Sequence, residues 1–527
     1  MVDIQSLFDK LMVSQRLEGV SAKNALRRLG LLVDLSGDLG REEGNVRALA
    51  WADELAKRKL LPRQAALLDY FRANLWANRQ SKKHRDADTA WAWEQPDIQQ
   101  QVFYLRRAAQ HRAFPRLARL RRCQIFTNLG NQLDTLGRFV EAQAMWGRAL
   151  AEDECFGMAL GNRGYGRFQY AASLYDHGHR DVFLFFAHKD LSDALSRKAK
   201  YEGDGYSLAK TRFSELKANI EAKINIKRAE RLIVLKGYPM GRSKAERQYR
   251  RWTLQNGLFL NPLNDLGFHT IAAQDVLSLP SITTAAGQFP PLIGFFNQMK
   301  QEYASGRWLL YEGLHARSVH FSDHNVLLIN TLDYPSYGLA VEKVKAAYRI
   351  AYSIFDKIAS FLNEYGSLGI RPKDVYFKTL WFDNPHKQPR TVRKEFASSR
   401  NWPLRGLYWL SKDLFDPELH FVMEPEAQEL YVIRNKLEHS YLKVHEMLLS
   451  RSGNDPISDM FTDRLAYSIG RDDFQAKTIH LYRLARAALI YISLGMHREE
   501  DLRRKAHKGL GLIAPMMLHP WRDQDKR

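Results

Sequence analysis

Cysteine is almost missing from this 527-residue chain: only Cys123 and Cys155 occur, in no C-x-x-C arrangement. A disulfide framework and a cysteine zinc site are both unsupported, and a reduced compartment is expected. Long apolar runs are missing too, since nothing approaches the eighteen or so consecutive apolar residues that a membrane span requires. The opening stretch Met1 to Val13 is broken by Asp3, Gln5, Asp9 and Lys10, unlike the apolar core of a signal peptide. Neither a P-loop nor a G-x-G-x-x-G fingerprint is present, so nothing points to a nucleotide cofactor or any other. The expected location is the cytoplasm, with no membrane partner. Acidic residues are in deficit, 59 against 79 Lys and Arg, which leaves a formal charge of +20. A surplus of that size favours a polyanionic partner, most simply nucleic acid.

What is present is chiefly helical pattern. Pro is scarce in the first two hundred residues, where apolar stretches at helical spacing alternate with short polar breaks. Phe126, Leu129, Gly130, Leu133, Gly137, Ala142, Trp146 and Ala149 fall at the offsets of one tetratricopeptide (TPR) unit, and the segment resembles such a unit. Gly130 and Ala149 would let two antiparallel helices approach, with Trp146 and Leu133 between them. Asn128-Leu129-Gly130 returns 34 residues later as Asn162-Arg163-Gly164, the TPR period. The alternative is an irregular helical domain with one accidental match. Arrays of this kind bind a peptide or protein on a concave face.

Residues 1–225 are thus expected to form a TPR-like α-solenoid, and 226–300 a connector with its loop-forming cluster Asn261-Pro262-Leu263-Asn264. Residues 301–527 form a second helical domain. There Ala340, Val344, Ala347, Ala351, Ile354, Ile358 and Phe361 make one apolar stripe, opposite Arg349, Ser353, Asp356, Ser360 and Asn363. A loop-rich insertion from Gly366 to Leu404 precedes the apolar segment Gly406 to Phe415. Further helices are expected from Glu424–Glu426 to about Leu449 and from Asp472 to about Leu494. Four helical segments with one long connection suggest a bundle in an all-α protein.

The third of these helices carries Arg434-Asn435-Lys436-Leu437-Glu438-His439. It sets a permanent cation beside a side chain that exchanges protons near neutral pH, a pairing suited to phosphodiester chemistry without a metal. R-x4-H arises by chance in a chain this basic, and a second copy runs from Arg106 to His111. Arg434 and Glu438 could equally form an ion pair, with His439 serving local packing.

A bundle with R-x4-H on its third main helix is similar to the HEPN superfamily, the "higher eukaryotes and prokaryotes nucleotide-binding" domains. The stretches Leu258 to Leu266, Gly406 to Leu410 and Leu437 to Lys443 resemble a bacterial subfamily in which HEPN follows TPR-like helices, over about Tyr249 to Leu512. The resemblance implies a metal-independent endoribonuclease, homodimeric through the HEPN domain, whose composite site uses Arg434, Asn435 and His439 of both chains. It also implies a setting in bacterial defence or stress response. The alternative is a non-catalytic HEPN scaffold or nucleotide-binding dimerisation module.

Two further clusters carry possible chemistry. The insertion combines Lys387, Arg390, Arg393 and Lys394 with Trp381, Phe382, Phe396 and Trp402, cations for phosphates beside rings for bases, as single-stranded RNA requires. The alternative is a basic loop whose rings lie in the core. His315, His320, Asp323 and His324 have ligand-like composition but no regular zinc spacing, so no metal site is assigned.

Overall fold

A computed structural model describes residues 4–13, 17–83, 87–202, 206–282, 291–385, 387, 390–415, 427–446, 463, 465–506 and 518–526. The first part of the chain is helix after helix: α1 (Ile4–Val13), α2 (Ala22–Asp38), α3 (Glu42–Ala56), α4 (Pro62–Lys83), α5 (Ala87–Trp91) and α6 (Pro96–Gln110). There follow α7 (Arg119–Thr135), α8 (Phe139–Glu152), α9 (Gly157–Ser173), α10 (His177–Ala194), α11 (Ser207–Lys223), α12 (Ile226–Leu232) and α13 (Lys244–Gln255). Side chains that satisfy orphan amides set several starts, Ser21 accepting from the Asn24 N–H before α2 and Asp176 from the His179 N–H before α10.

The α7/α8 pair meets as its glycine predicts. A Cβ at Gly130 would lie 2.7 Å from Trp146 Nε1, so the indole packs on bare backbone. Thirty-four residues on, a Cβ at Gly164 would press on Leu191 of α10 at 2.8 Å, so α9 and α10 also meet over a glycine, although Leu191 does not stand at the repeat offset of Trp146.

The remaining helices are α14 (Pro291–His315), α15 (Leu339–Gly366), α16 (Lys394–Ala397), α17 (Trp402–Phe415), α18 (Ala427–His439) and α19 (Arg471–Ala506). The expected stripe on α15 is buried from Val341 to Phe361. The division expected at 300/301 falls inside α14, because Pro291 opens a helix that runs unbroken to His315. The connector cluster is pinned to both sides. Asp265 accepts from Tyr170 of α9 (3.0 Å) and from Arg486 of α19 (2.6 Å), and Arg486 also holds the Asn261 carbonyl (2.8 Å).

Among the described residues the chain is helical except for a small parallel sheet, β1 (Leu442–His445) against β2 (Tyr467–Gly470). Its presence corrects the expectation of one helix running on to Leu449. Helical periodicity yields here to tertiary partners, which routinely override local propensity. Arg349 of α15 takes the Leu437 carbonyl at 2.5 Å, and buried Lys443 pairs with Asp333 (2.6 Å) and Asp463 (2.9 Å). The expected start at Glu424–Glu426 lies outside the described residues.

Helix α17 joins the two parts. Every residue from Pro403 to Phe415 is buried, the signature of a helix wrapped on all sides. Two of its buried charges are paired: Asp413 takes a two-pronged bond from Arg106 of α6 (2.9 and 3.0 Å) and an ion pair from Arg138, and Lys412 meets Glu94 (2.7 Å). Trp402 stacks on Phe139 at 4.5 Å and donates to the Asp134 carbonyl. Gly406 and Gly137 touch backbone to backbone; a Cβ on either would collide with a carbonyl oxygen across the contact, and Gly137 sits at φ +86°.

Asp134, at the end of α7 beneath this contact, is buried with no countercharge, and burial alone pushes its carboxyl up to about 7. A carboxyl raised in the folded state binds its proton more tightly there than in the unfolded chain. Its contribution to stability is therefore present below pH 4 and lost as pH rises towards 7. Asp134→Asn should stabilise the protein by a margin that grows between pH 4 and 7, by up to about 1.4 kcal/mol per pH unit, and levels off above. Thermal melts of both proteins across that range check it, and a pH-independent difference would contradict the assignment.

Candidate functional site

Helix α18 lies against α15, and this packing divides its motif into a held cation and an open imidazole. Arg434 is half-buried, its guanidinium 5.6 Å from the centre of the Tyr352 ring and bonded to Asn435 Oδ1 at 3.1 Å. One turn along α15 from Tyr352 stands Asp356, which accepts from the Phe377 N–H at 3.2 Å. Burial raises the Asp356 carboxyl, and the Phe377 amide and the Arg434 charge oppose that rise. The Tyr352 hydroxyl is likewise pushed well up, chiefly by burial. Arg434 thus rests on an aromatic face with the Asp356 carboxyl nearby, positioned but not consumed by a salt bridge.

His439 is the last residue of α18 and exposed, and among the described residues it has no hydrogen-bond or ion-pair partner. The turn before it is fixed by Arg349, which bonds the Leu437 carbonyl and approaches Glu438 at 3.7 Å. The Arg434–Glu438 ion pair considered above does not form, because Glu438 faces Arg349. Asn435 has its carbonyl oxygen turned to Arg434, which leaves its amide N–H groups free to face an anion. The four-residue step puts Asn435 and His439 on one face with Arg434 at its edge.

The copy from Arg106 to His111 has a different environment, and a further one, Arg79 to His84, ends outside the described residues. Arg106 is sealed against Asp413, and His111 Nδ1 accepts from its own loop at the Ala113 N–H (3.1 Å). No phosphate could reach Arg106 without breaking a buried pair. What separates Arg106–His111 from Arg434–His439 is burial, which spacing does not encode.

In the insertion the rings and the cations part company. Trp381, Phe382 and Phe396 are buried and Trp402 packs on Phe139, so these faces are closed to bases. Lys387 and Lys394 are exposed, whereas Arg390 lies over Phe382 at 5.4 Å and Arg393 bonds the Leu380 carbonyl at 2.9 Å. The histidine-rich stretch is spent locally: Asp323 accepts from the Leu339 N–H at the start of α15, His320 meets Ser322 and His315 the Tyr311 carbonyl. Among the described residues no group of three or more His, Cys, Asp or Glu is placed to hold a metal.

Sequence reasoning passed over Arg349 and Tyr352 as supports of the motif. Arg349 and Asp356 lay in the polar stripe of α15, and that stripe was the available signal; what it lacked was the knowledge that α18 packs there.

Among the described residues no helix is long and apolar enough to cross a membrane. None of the curated proteins or solved structures compared matches the chain. Residues 283–499 match the family described as LA2681-like HEPN, a span shorter at both ends than the one expected. It takes in α14, α15, α17, α18 and most of α19, and it contains Arg434 and His439 but not Arg106 and His111. The C-terminal part of this chain therefore carries a HEPN-family domain.

Proposed function

We propose that the protein is a metal-independent endoribonuclease in which Arg434, Asn435 and His439 of two chains form one composite site. The observation that carries this reading is the division of labour on α18: a cation held on the Tyr352 face and an imidazole left open beside it. His439 of one chain removes the proton from an RNA 2′-hydroxyl, whose oxygen then attacks the neighbouring phosphorus. The 5′-oxygen leaves with a proton from the other chain's histidine, and the product ends in a 2′,3′-cyclic phosphate. Arg434 and the Asn435 amide stabilise the charge that builds on the phosphoryl oxygens.

The helices of residues 1–225 act in this reading as a TPR-like docking array for a peptide or protein, and RNA cleavage serves bacterial defence or stress response in the cytoplasm. The rival is a non-catalytic scaffold, and the absence of an orienting partner for His439 among the described residues favours it. Incubating the full-length protein with mixed RNA in EDTA separates the two: fragments with cyclic phosphate ends support the nuclease, and intact RNA supports the scaffold.

Lys387, Arg390, Arg393 and Lys394 belong to this proposal as phosphate contacts, with the two exposed lysines in the leading role. Lys387→Ala with Lys394→Ala should weaken RNA binding at low salt and flatten the slope of log K against log salt by about 1.4, two contacts at roughly 0.7 each on a single strand. An unchanged slope would assign these charges to solubility alone.

A further inference from the structure

Between α14 and α15 the chain turns its apolar side chains outward. Phe321, Val326, Leu327, Leu328, Ile329 and Leu332 are all more than half exposed, Leu327 at 89%. From Val326 to Thr331 the backbone forms no helix, strand, turn or bend, and among the described residues none of its amides or carbonyls has a backbone partner. Residues on both faces of this would-be strand meet water, and the backbone turns left-handed at either end, at Asn325 and Leu332. An exposed, unpaired, β-branched and leucine-rich edge is a template for another strand.

We infer that Val326–Thr331 pairs with the same segment of a second copy of this chain, as an antiparallel two-stranded ribbon across a two-fold axis. This rests on the proposed dimer and names the contact that holds it. Two arguments select this occupant. Antiparallel pairing of identical strands is self-complementary, as a two-fold interface requires. No Lys or Arg occurs from Ser318 to Glu342, and Asp333 within it is already paired with Lys443, so in a chain of +20 this stretch brings no facing cations when two copies meet and offers nothing to RNA or an anionic membrane.

The segment is also wired to the motif helix. Ser336 donates to the Val444 carbonyl of β1 at 2.6 Å, and Asp333 pairs with Lys443. β1 begins three residues after His439, so the ribbon would fix the two motif helices relative to each other.

Light scattering on the full-length protein should give the mass of two 61.1-kDa chains. L327K with I329K should reduce it to one chain while keeping the helical circular dichroism, since two ammonium groups per chain at a two-fold contact weaken association by about a hundredfold or more. In the wild type, alternate amides within 326–331, those facing the partner strand, should exchange slowly at high protein concentration and quickly on dilution. A double variant that stays dimeric, or fast exchange at every concentration, overturns the ribbon and leaves the dimer standing. A monomeric wild type overturns both.

Discussion

Replacing His439 with alanine is expected to abolish RNA cleavage, with a loss of about a hundred- to ten-thousand-fold, the usual worth of a positioned acid or base. His439 is exposed and bonded to no described residue, so the substitution should leave helicity, melting temperature and chain mass unchanged. Arg434→Ala should cost a similar factor through the lost phosphate contact, with some loosening where the guanidinium leaves the Tyr352 ring. Gel assays in EDTA with end-group analysis check both. A substrate carrying 2′-deoxyribose at the cut position should resist, because it lacks the attacking oxygen. Wild-type cleavage by His439→Ala, or a requirement for a divalent metal, would leave the scaffold reading.

The second large effect lies far from the motif. Asp413→Ala should destabilise the whole chain by about 3–5 kcal/mol, since it removes the carboxylate shared by two buried guanidinium groups and takes from Arg106 its two-pronged bond, while Arg138 keeps Glu141. Total stabilities of domains are about 5–15 kcal/mol, so the urea midpoint should fall by a large fraction. Arg106→Ala should behave similarly, and a loss of activity in that variant would report unfolding, not catalysis. The same contacts bear on truncation: removing residues 1–225 uncovers α17, a helix with no solvent face, and the remainder should be insoluble or molten. A midpoint within experimental error of wild type for Asp413→Ala would remove the clasp from the account.

How much of this was legible in the sequence differs element by element. The α15 stripe and the Gly130–Trp146 contact were readable because each is set by neighbours within a few turns. The long helix of the motif was cut short at His439 because Arg349, Asp333 and Asp463 draw the chain into β1, and none of those partners is local to it. The rings of the insertion were ambiguous because an aromatic residue near cations serves a base or a core equally well, and Trp93 and Tyr408 decide for the core. Arg106 was separable from Arg434 only by the wider resemblance; the bond that seals it comes from 307 residues away. The Gly137–Gly406 contact had half a signal, since the TPR match explains a glycine in the α7/α8 turn but not its partner.

That contact has a consequence for how the protein is made. Trp93 gives its carbonyl to Trp409, 316 residues downstream, and Phe139 waits for Trp402. At synthesis rates of about 5–20 residues per second, the first helices stand for tens of seconds with the seat of α17 empty. During that interval the apolar surface of Trp93 and Phe139 faces water on a nascent chain still attached to the ribosome. The fold therefore closes late and from its middle, and a holding chaperone has a defined surface on which to act until Trp402 emerges.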